Sequence, residues 1–299
     1  MFKNVVVGVD EHHGGRDAIA LASRLIEADG EVALAYVYSG DAHLGRDSGA
    51  AYDAVERDRA LELLANARDQ AGINAHLRCA GAPSVGRGLH ELAEAAGADL
   101  LIVGSSRRGL LGRVLLVDDT RAALNGAPCA IAIAPSGYGD EPSVIREIGV
   151  GYNGSGESEH ALEVARKLAT AHGAKLSAFE AVSLPAYLFA GGPAPVDAPI
   201  EDMVKDARER LAALDGVEPH AAYGNPAEEL AVYSASLDLL IVGSRDYGPV
   251  GRFVHGSTTQ QLAHTARCPL LALTRAARAA DAEDASRETR GQTTLAAGG

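Results

Sequence analysis

Positive charge is scarce in this chain. Its 299 residues hold 27 Lys and Arg against 40 Asp and Glu, a net charge of −13 with a pI of about 5.2. Nucleic-acid backbones and anionic membranes reward clustered Lys and Arg, so neither is expected as the main partner. No apolar run approaches the roughly 18–20 residues of a membrane span. The opening stretch, Met-Phe-Lys-Asn-Val-Val-Val-Gly-Val-Asp, reads as a strand ending in a carboxylate. It lacks the apolar core and cleavage site of a signal peptide, so a cytoplasmic location is expected. Cysteine is also scarce. Cys79, Cys129 and Cys268 are an odd, widely spaced set. That pattern offers no disulfide framework and no metal-ligand spacing, and free buried thiols are expected. There is no Walker loop, Ser-His-Asp arrangement, acid/base carboxylate pair or zinc signature. No nucleophile has a base at plausible spacing, so dedicated catalysis is not expected.

What the chain does have is a repeat. Asp-Leu-Leu-Ile-Val-Gly-Ser occurs at 99–105 and again at 238–244. Leu-Leu-Ile-Val is a continuous apolar run, the pattern of a parallel strand buried on both faces. The Gly-Ser that ends it lets a backbone approach something closely, and in α/β sheets the carboxyl ends of strands are where ligands bind. Asp10 and Asn153 lie 143 residues apart at matching strand ends, as do Ala18 and Ala161 at matching helix starts. The offset falls to 139 at the heptapeptides, which predicts one extra helical turn in the first copy around Ser84–His90. Each copy alternates strand and helix, β-α-β-α-β-α-β-α-β, with first-copy helices expected near 15–28, 50–71, 85–96 and 115–125, which implies a parallel sheet with helices on both faces. The expected domains are 1–138 and 143–275, joined by the turn-rich 135–142, with a flexible tail over 276–299.

A glycine-rich loop and a helix come after each heptapeptide. In the second copy the loop runs from Gly243 and Ser244 through Gly248 to Gly256, Ser257 and Thr258. Free N–H groups and the positive end of the helix dipole at Gly256-Ser257-Thr258 suit a phosphate. Ser257 acting only as a helix cap fits the same geometry. In the first copy Val117-Asp118 stands where the second has Gly256-Ser257. A carboxylate there fills the anion site and repels phosphate. Arg107 and Arg108 are then expected to pair locally with Asp118 or Asp119, or to hold a smaller anion.

On these motifs the chain resembles a tandem universal stress protein, over about residues 2 to 274. The nucleotide-binding form of that family has Gly-x2-Gly-x9-Gly-Ser/Thr after the fourth strand and an aspartate at the end of the first. Family members bind ATP or no nucleotide, and pair through the fifth strand. The resemblance implies the strand order 3-2-1-4-5 in each copy. The second copy keeps Gly243, Gly256 and Ser257 but has Asp246 at the second glycine and Asn153 at the aspartate. The first keeps Asp10 and Gly104 but has Arg107 at the second glycine and has lost Gly-Ser.

Other patterns are weaker. Gly149-Val-Gly151-Tyr-Asn-Gly154 matches a dinucleotide-binding fingerprint, but the repeat places Gly149 inside a strand, level with Val6. His12 and His13 have no ligand partner on one element, so exposed loop histidines are expected. His255 beside Gly256 is expected to pack in its turn. The charges of the helix over 50–71 form an ordinary solvated face.

The expected protein is therefore a pair of five-stranded parallel open sheets with helices on both faces. Their apolar fifth strands are expected to meet antiparallel, since bare edges are normally covered, making the chain its own dimer; further homodimerisation is open. The expected function is stress-response regulation, with ATP, with or without magnesium, bound in the second copy. Two alternatives stay open: an interaction module of the same fold without nucleotide, and a slow nucleotide hydrolase.

Overall fold

A computed structural model describes residues 1–10, 14–39, 46–105, 126–140, 144–183, 200–244 and 257–274. In the first copy the strands are β1 (Phe2–Gly8), β2 (Ile26–Ser39), β3 (His76–Ala82), β4 (Leu100–Gly104) and β5 (Ala130–Ala134). They alternate with α1 (Gly14–Leu25), α2 (Arg46–Ala71) and α3 (Val85–Ala96). The second copy has β6 (Glu147–Gly151), β7 (Lys175–Val182), β8 (Glu218–Tyr223), β9 (Leu239–Gly243) and β10 (Leu270–Leu273). Its helices are α4 (Gly156–His172), α5 (Ile200–Ala212), α6 (Pro226–Tyr233) and α7 (Ser257–Thr265). The chain of 115–125, expected to be a helix, lies outside the described residues, as does the tail from 275. Among the described residues no helix is long and apolar enough to cross a membrane.

All ten strands form one sheet in the order β3-β2-β1-β4-β5-β10-β9-β6-β7-β8. Each copy is parallel within itself, and β5 meets β10 antiparallel, with Ile131 opposite Ala272 and Ile133 opposite Leu270. The central strands are apolar at every position because both faces are covered. On one face Ala130, Ala132, Ala134, Leu271 and Leu273 join a core with Leu21 and Leu25 of α1 and Ala165 and Leu168 of α4. On the other, Ile131, Ile133, Leu270 and Ala272 pack with Leu89 of α3, Leu230 of α6 and Leu262 of α7. Burial of one such Leu or Ile is worth about 1.5–3 kcal/mol. Across the junction His172 Nε2, at the end of α4, lies 2.9 Å from the carbonyl oxygen of Arg24 near the end of α1.

The two copies differ where their spacing differs. α3 has 12 residues and α6 has 8, the latter followed by a 3-10 turn over Ser234–Ser236. One departure from expectation lies after α1. Its periodicity continues to Ala28 in the sequence, yet the chain becomes strand at Ile26. Ile26 pairs with Phe2, and the register then shifts before Asn4 meets Glu31. Early pairing with β1 overrides local helical pattern here.

The aspartates that open the two heptapeptides fix register. The Asp99 carboxylate accepts N–H bonds from Lys3 and Asn4 at 2.7 and 3.1 Å. Asp238 accepts the same pair in the second copy, from Arg146 and Glu147 at 2.7 and 2.9 Å. Each carboxylate thereby ties the start of β4 or β9 to the start of β1 or β6. The linker is held in a similar way. Buried Asp17 on α1 accepts N–H bonds from Gly137 at 2.9 Å and Gly139 at 2.8 Å. Arg16 beside it pairs with Asp140 at 2.9 Å.

The three cysteines are free. Cys129 and Cys268 are buried, and burial pushes both thiols up to about 12. Cys79 is only half-buried, which departs from the expected set of three buried thiols.

Hydrogen bonds to a charged group contribute about 1.5–3 kcal/mol, and less where water reaches them. Asp99→Ala and Asp238→Ala are each expected to lower unfolding free energy by about 1–3 kcal/mol. Urea titration of the two variants checks this. Unchanged midpoints in both would show that the carboxylates do not hold the strand starts together.

Candidate functional site

Strand β6 ends at Gly151 and the chain turns through Tyr152, Asn153, Gly154 and Ser155 into α4. Gly154 takes a φ of 72°, a left-handed value that side chains rarely adopt. The turn is closed by its own polar groups. Asn153 Oδ1 accepts the Ser155 N–H at 3.1 Å, and Ser155 Oγ accepts the Ser158 N–H at 3.3 Å as the helix cap. Ser158 Oγ donates to the Ser155 carbonyl at 2.8 Å and receives the Asn153 N–H at 3.4 Å.

Beside this turn, β9 ends at Gly243. A Cβ there would strike the backbone carbonyl of Glu157 in the first turn of α4. The close approach that this glycine permits is therefore made by α4. Ser244 is buried and its N–H continues the ladder to the Leu273 carbonyl at 3.0 Å. On the other side of β6, β7 carries Phe179 and Ala181 towards its end. Pro226 opens α6 there, capped by Asn225 Oδ1 accepting the Ala227 N–H at 2.9 Å.

These strand ends enclose a cavity of about 380 Å³. At one end Gly243, Thr258 and Thr259 line it, the threonines from the first turn of α7. In the middle are Asn153, Ser155 and Ser158. At the β7 end Phe179 and Ala181 form an apolar wall, which Pro226 and Leu230 of α6 extend, Leu230 lying over Gly151. That wall is supported from behind. The Tyr233 ring stacks on Phe179 with centroids 4.9 Å apart, and its hydroxyl is hydrogen-bonded to Ser177 Oγ. Burial pushes the Tyr233 phenol up to about 12, against a smaller downward pull from the Ser177 bond. Gly149, within β6, leaves room for this packing, since a Cβ there would press on Tyr233 and Leu237. The first glycine of Gly149-Val-Gly151-Tyr-Asn-Gly154 thus serves aromatic packing.

The cavity brings together Asn153, Gly243 and Thr258 of the sequence-predicted set. Ser244 does not line it. Ser257 begins α7. Gly248, Gly256, Asp246 and His255 lie outside the described residues. The sequence reading missed Phe179, Ala181, Pro226 and Leu230. They come from two separate segments with no shared spacing, and only the ordinary apolar character of each marked them.

In the first copy Asp10 stands at the position of Asn153, and its Oδ1 accepts the Gly15 N–H at 3.2 Å. Gly104 closes β4. Arg107, Arg108, Val117, Asp118 and Asp119 lie outside the described residues, as do His12 and His13. A cleft of about 930 Å³ begins at Asp10 but runs between α1 and α2, past Ile19, Glu62, Leu63 and Asn66. Those helices pack on the face opposite to α6 and Phe179. The larger cleft is therefore not the counterpart of the second-copy cavity, and the smaller one has the strand-end geometry expected of a ligand site. Among the described residues no group of three His, Cys, Asp or Glu is placed to hold a metal ion.

Chemically, the second-copy cavity offers a helix N-terminus with hydroxyls at one end, neutral polar groups in its middle and an apolar wall at the other end. An elongated ligand with an anionic end and a flat apolar end matches that order.

Comparison with known proteins gives a family. The model of the universal stress protein family matches residues 1–135 and 145–274. A universal stress protein of Mycobacterium tuberculosis is 29% identical over 185 residues, covering 58% of this chain and 61% of that protein. The chain thus matches less than two thirds of that relative's length. A universal stress protein of Thermus aquaticus is 33% identical over 141 residues, 43% of this chain and 98% of its own. Among solved structures, a universal stress protein from Archaeoglobus fulgidus superposes with a TM-score of 0.66 at 17% identity. It covers 91% of this chain and 99% of that one, and supports the fold.

Gly243→Ala places a methyl group against the Glu157 backbone, where no side chain can yield. Overpacking of this kind costs about 1–3 kcal/mol. Urea unfolding is expected to show a loss in that range. No loss would mean that α4 does not set the need for glycine at this strand end.

Proposed function

Since this chain belongs to the universal stress protein family and carries its domain twice, we propose that it is a stress-response regulator that binds ATP in its second copy. The observation that carries the proposal is the cavity at the ends of β6, β7 and β9. Its polar-to-apolar order runs from the N-terminus of α7 to the Phe179 wall. The triphosphate would lie at the α7 end, where the helix dipole and the hydroxyls of Thr258 and Thr259 favour negative charge. The adenine would lie against Phe179, Ala181 and Leu230, where its flat faces replace water at an apolar wall. Gly248 and Gly256 from the loop before α7, and Ser257 at its first position, would complete the phosphate side. The described lining offers no carboxylate, so magnesium would be carried in by the phosphates. Binding and release would carry the signal, without dedicated catalysis. In the same reading the antiparallel β5–β10 ladder makes the chain its own dimer, with a cytoplasmic setting.

Calorimetry with ATP and magnesium tests this on the full chain. One nucleotide per chain is expected. Ala181→Leu, which fills the apolar end, is expected to weaken binding by about tenfold or more, a loss of at least about 1.4 kcal/mol. Thr258→Asp, which puts a carboxylate at the anion end, is expected to weaken it likewise. Absence of heat up to millimolar ATP would overturn the proposal and favour an interaction module.

A further inference from the structure

We propose that the cleft between α1 and α2 of the first copy is a second binding site, for a neutral, elongated and mainly apolar molecule. The inference is independent of the nucleotide reading, since the two cavities lie on opposite faces of the sheet.

Its first premise is that the first copy leaves open a gap that the second copy bridges. On α1 the cleft is bordered by Ala20 and Ser23, both short. The 143-residue offset puts Glu163 and Arg166 at these places on α4. Arg166 reaches across to Gly216, in the turn between α5 and β8, where a Cβ would lie 3.9 Å from its guanidinium. The turn before β3 has Gly72 in the same left-handed conformation, and a Cβ placed there would meet nothing within 4 Å. A long side chain crosses the gap in the second copy, and serine leaves it open in the first.

The second premise is shape. The cleft holds about 930 Å³, a volume ordinary for small-molecule sites. Its floor is apolar. Val9 and Ile19 are buried there, and Leu63 and Ile73 are half-buried members of the same core. One end lies at Asp10 and at Gly139, in the linker turn that Asp17 holds on α1. The other lies at Ala71 and Ile73, where the chain turns into β3. The occupant is thus elongated and bounded at both ends.

The third premise is charge. Arg16 and Arg59 line the cleft together with Asp10 and Glu62, and Arg16 is paired with Asp140 at 2.9 Å. An anion or a cation meets both signs here and gains no net attraction, while the loss of its hydration remains a cost. A neutral molecule avoids that cost and gains by covering the apolar floor. Asn66 and Gln70, one turn apart on α2 and exposed at the rim, offer amide donors and acceptors. They suit hydroxyl or carbonyl oxygens along one edge of the ligand.

The test is titration of the full chain with the neutral dye Nile red, followed by its fluorescence. Saturable binding of one dye per chain is expected. Ala20→Glu with Ser23→Arg, which gives α1 the residues that α4 carries, is expected to weaken binding by about tenfold or more. Thermal melting confirms the fold of this variant, and Ser23→Arg alone, at an exposed position, serves if the pair does not fold. 1-Decanol is expected to displace the dye at concentrations about tenfold or more below those of decanoate or decyltrimethylammonium. Absence of saturable binding overturns the inference, and so does a folded variant with unchanged dye affinity. Loss of dye binding in Ala181→Leu instead would put the dye in the second-copy cavity and overturn it as well, leaving the ATP reading to its own calorimetry. Displacement by either ion as readily as by the alcohol overturns the neutral assignment.

Discussion

Everything in this molecule is arranged around one antiparallel ladder, β5 against β10. Each of these strands is apolar on both faces and would be a bare edge if its copy stood alone. Joined, they convert two edges into the centre of a ten-stranded sheet. The choice of side chains reflects that position. On one face β5 shows only alanine, at 130, 132 and 134. Small side chains there leave space for α1 and α4 to lie close on the sheet, and the two helices meet through His172 and the Arg24 carbonyl. The isoleucines of β5 fill the opposite face, where α3, α6 and α7 cover it.

From this centre the two copies run outward with the same topology and different local chemistry. Asp99 and Asp238 fix the fourth strand of each copy against the first by equivalent pairs of N–H bonds. The strand ends therefore arrive in equivalent places, and the copies diverge past them. The second copy has Asn153 in a turn closed by serines, and an apolar wall braced by Tyr233. The first has Asp10, and its large cleft opens between α1 and α2 on the other face. Repetition thus fixes the scaffold, while the side chains past the strand ends differ between the copies.

Much of the scaffold was legible in the residues. The buried strands are continuous apolar runs, and the 143-to-139 change in offset corresponds to the longer α3. Less was legible where distant segments meet. The heptapeptide draws attention to its Gly-Ser end, yet its Asp holds the strand register, because only the folded sheet brings Lys3 or Arg146 beside it. Gly243 reads as room for a ligand, whereas the backbone of α4 takes that room. Ile26 reads as helix, and pairing with Phe2 makes it strand. The apolar wall was invisible because Phe179 and Leu230 are ordinary core residues until β7 and α6 place them at a cavity.

One fold here carries two unlike crevices, and the proposed function puts a nucleotide in the second. The most direct measurement is a crystal structure of the full chain grown with a non-hydrolysable ATP analogue. One analogue per chain is expected, its phosphates at Thr258 and its base against Phe179. An analogue beside Asp10, or in the cleft between α1 and α2, with the second-copy cavity left without one, would contradict it.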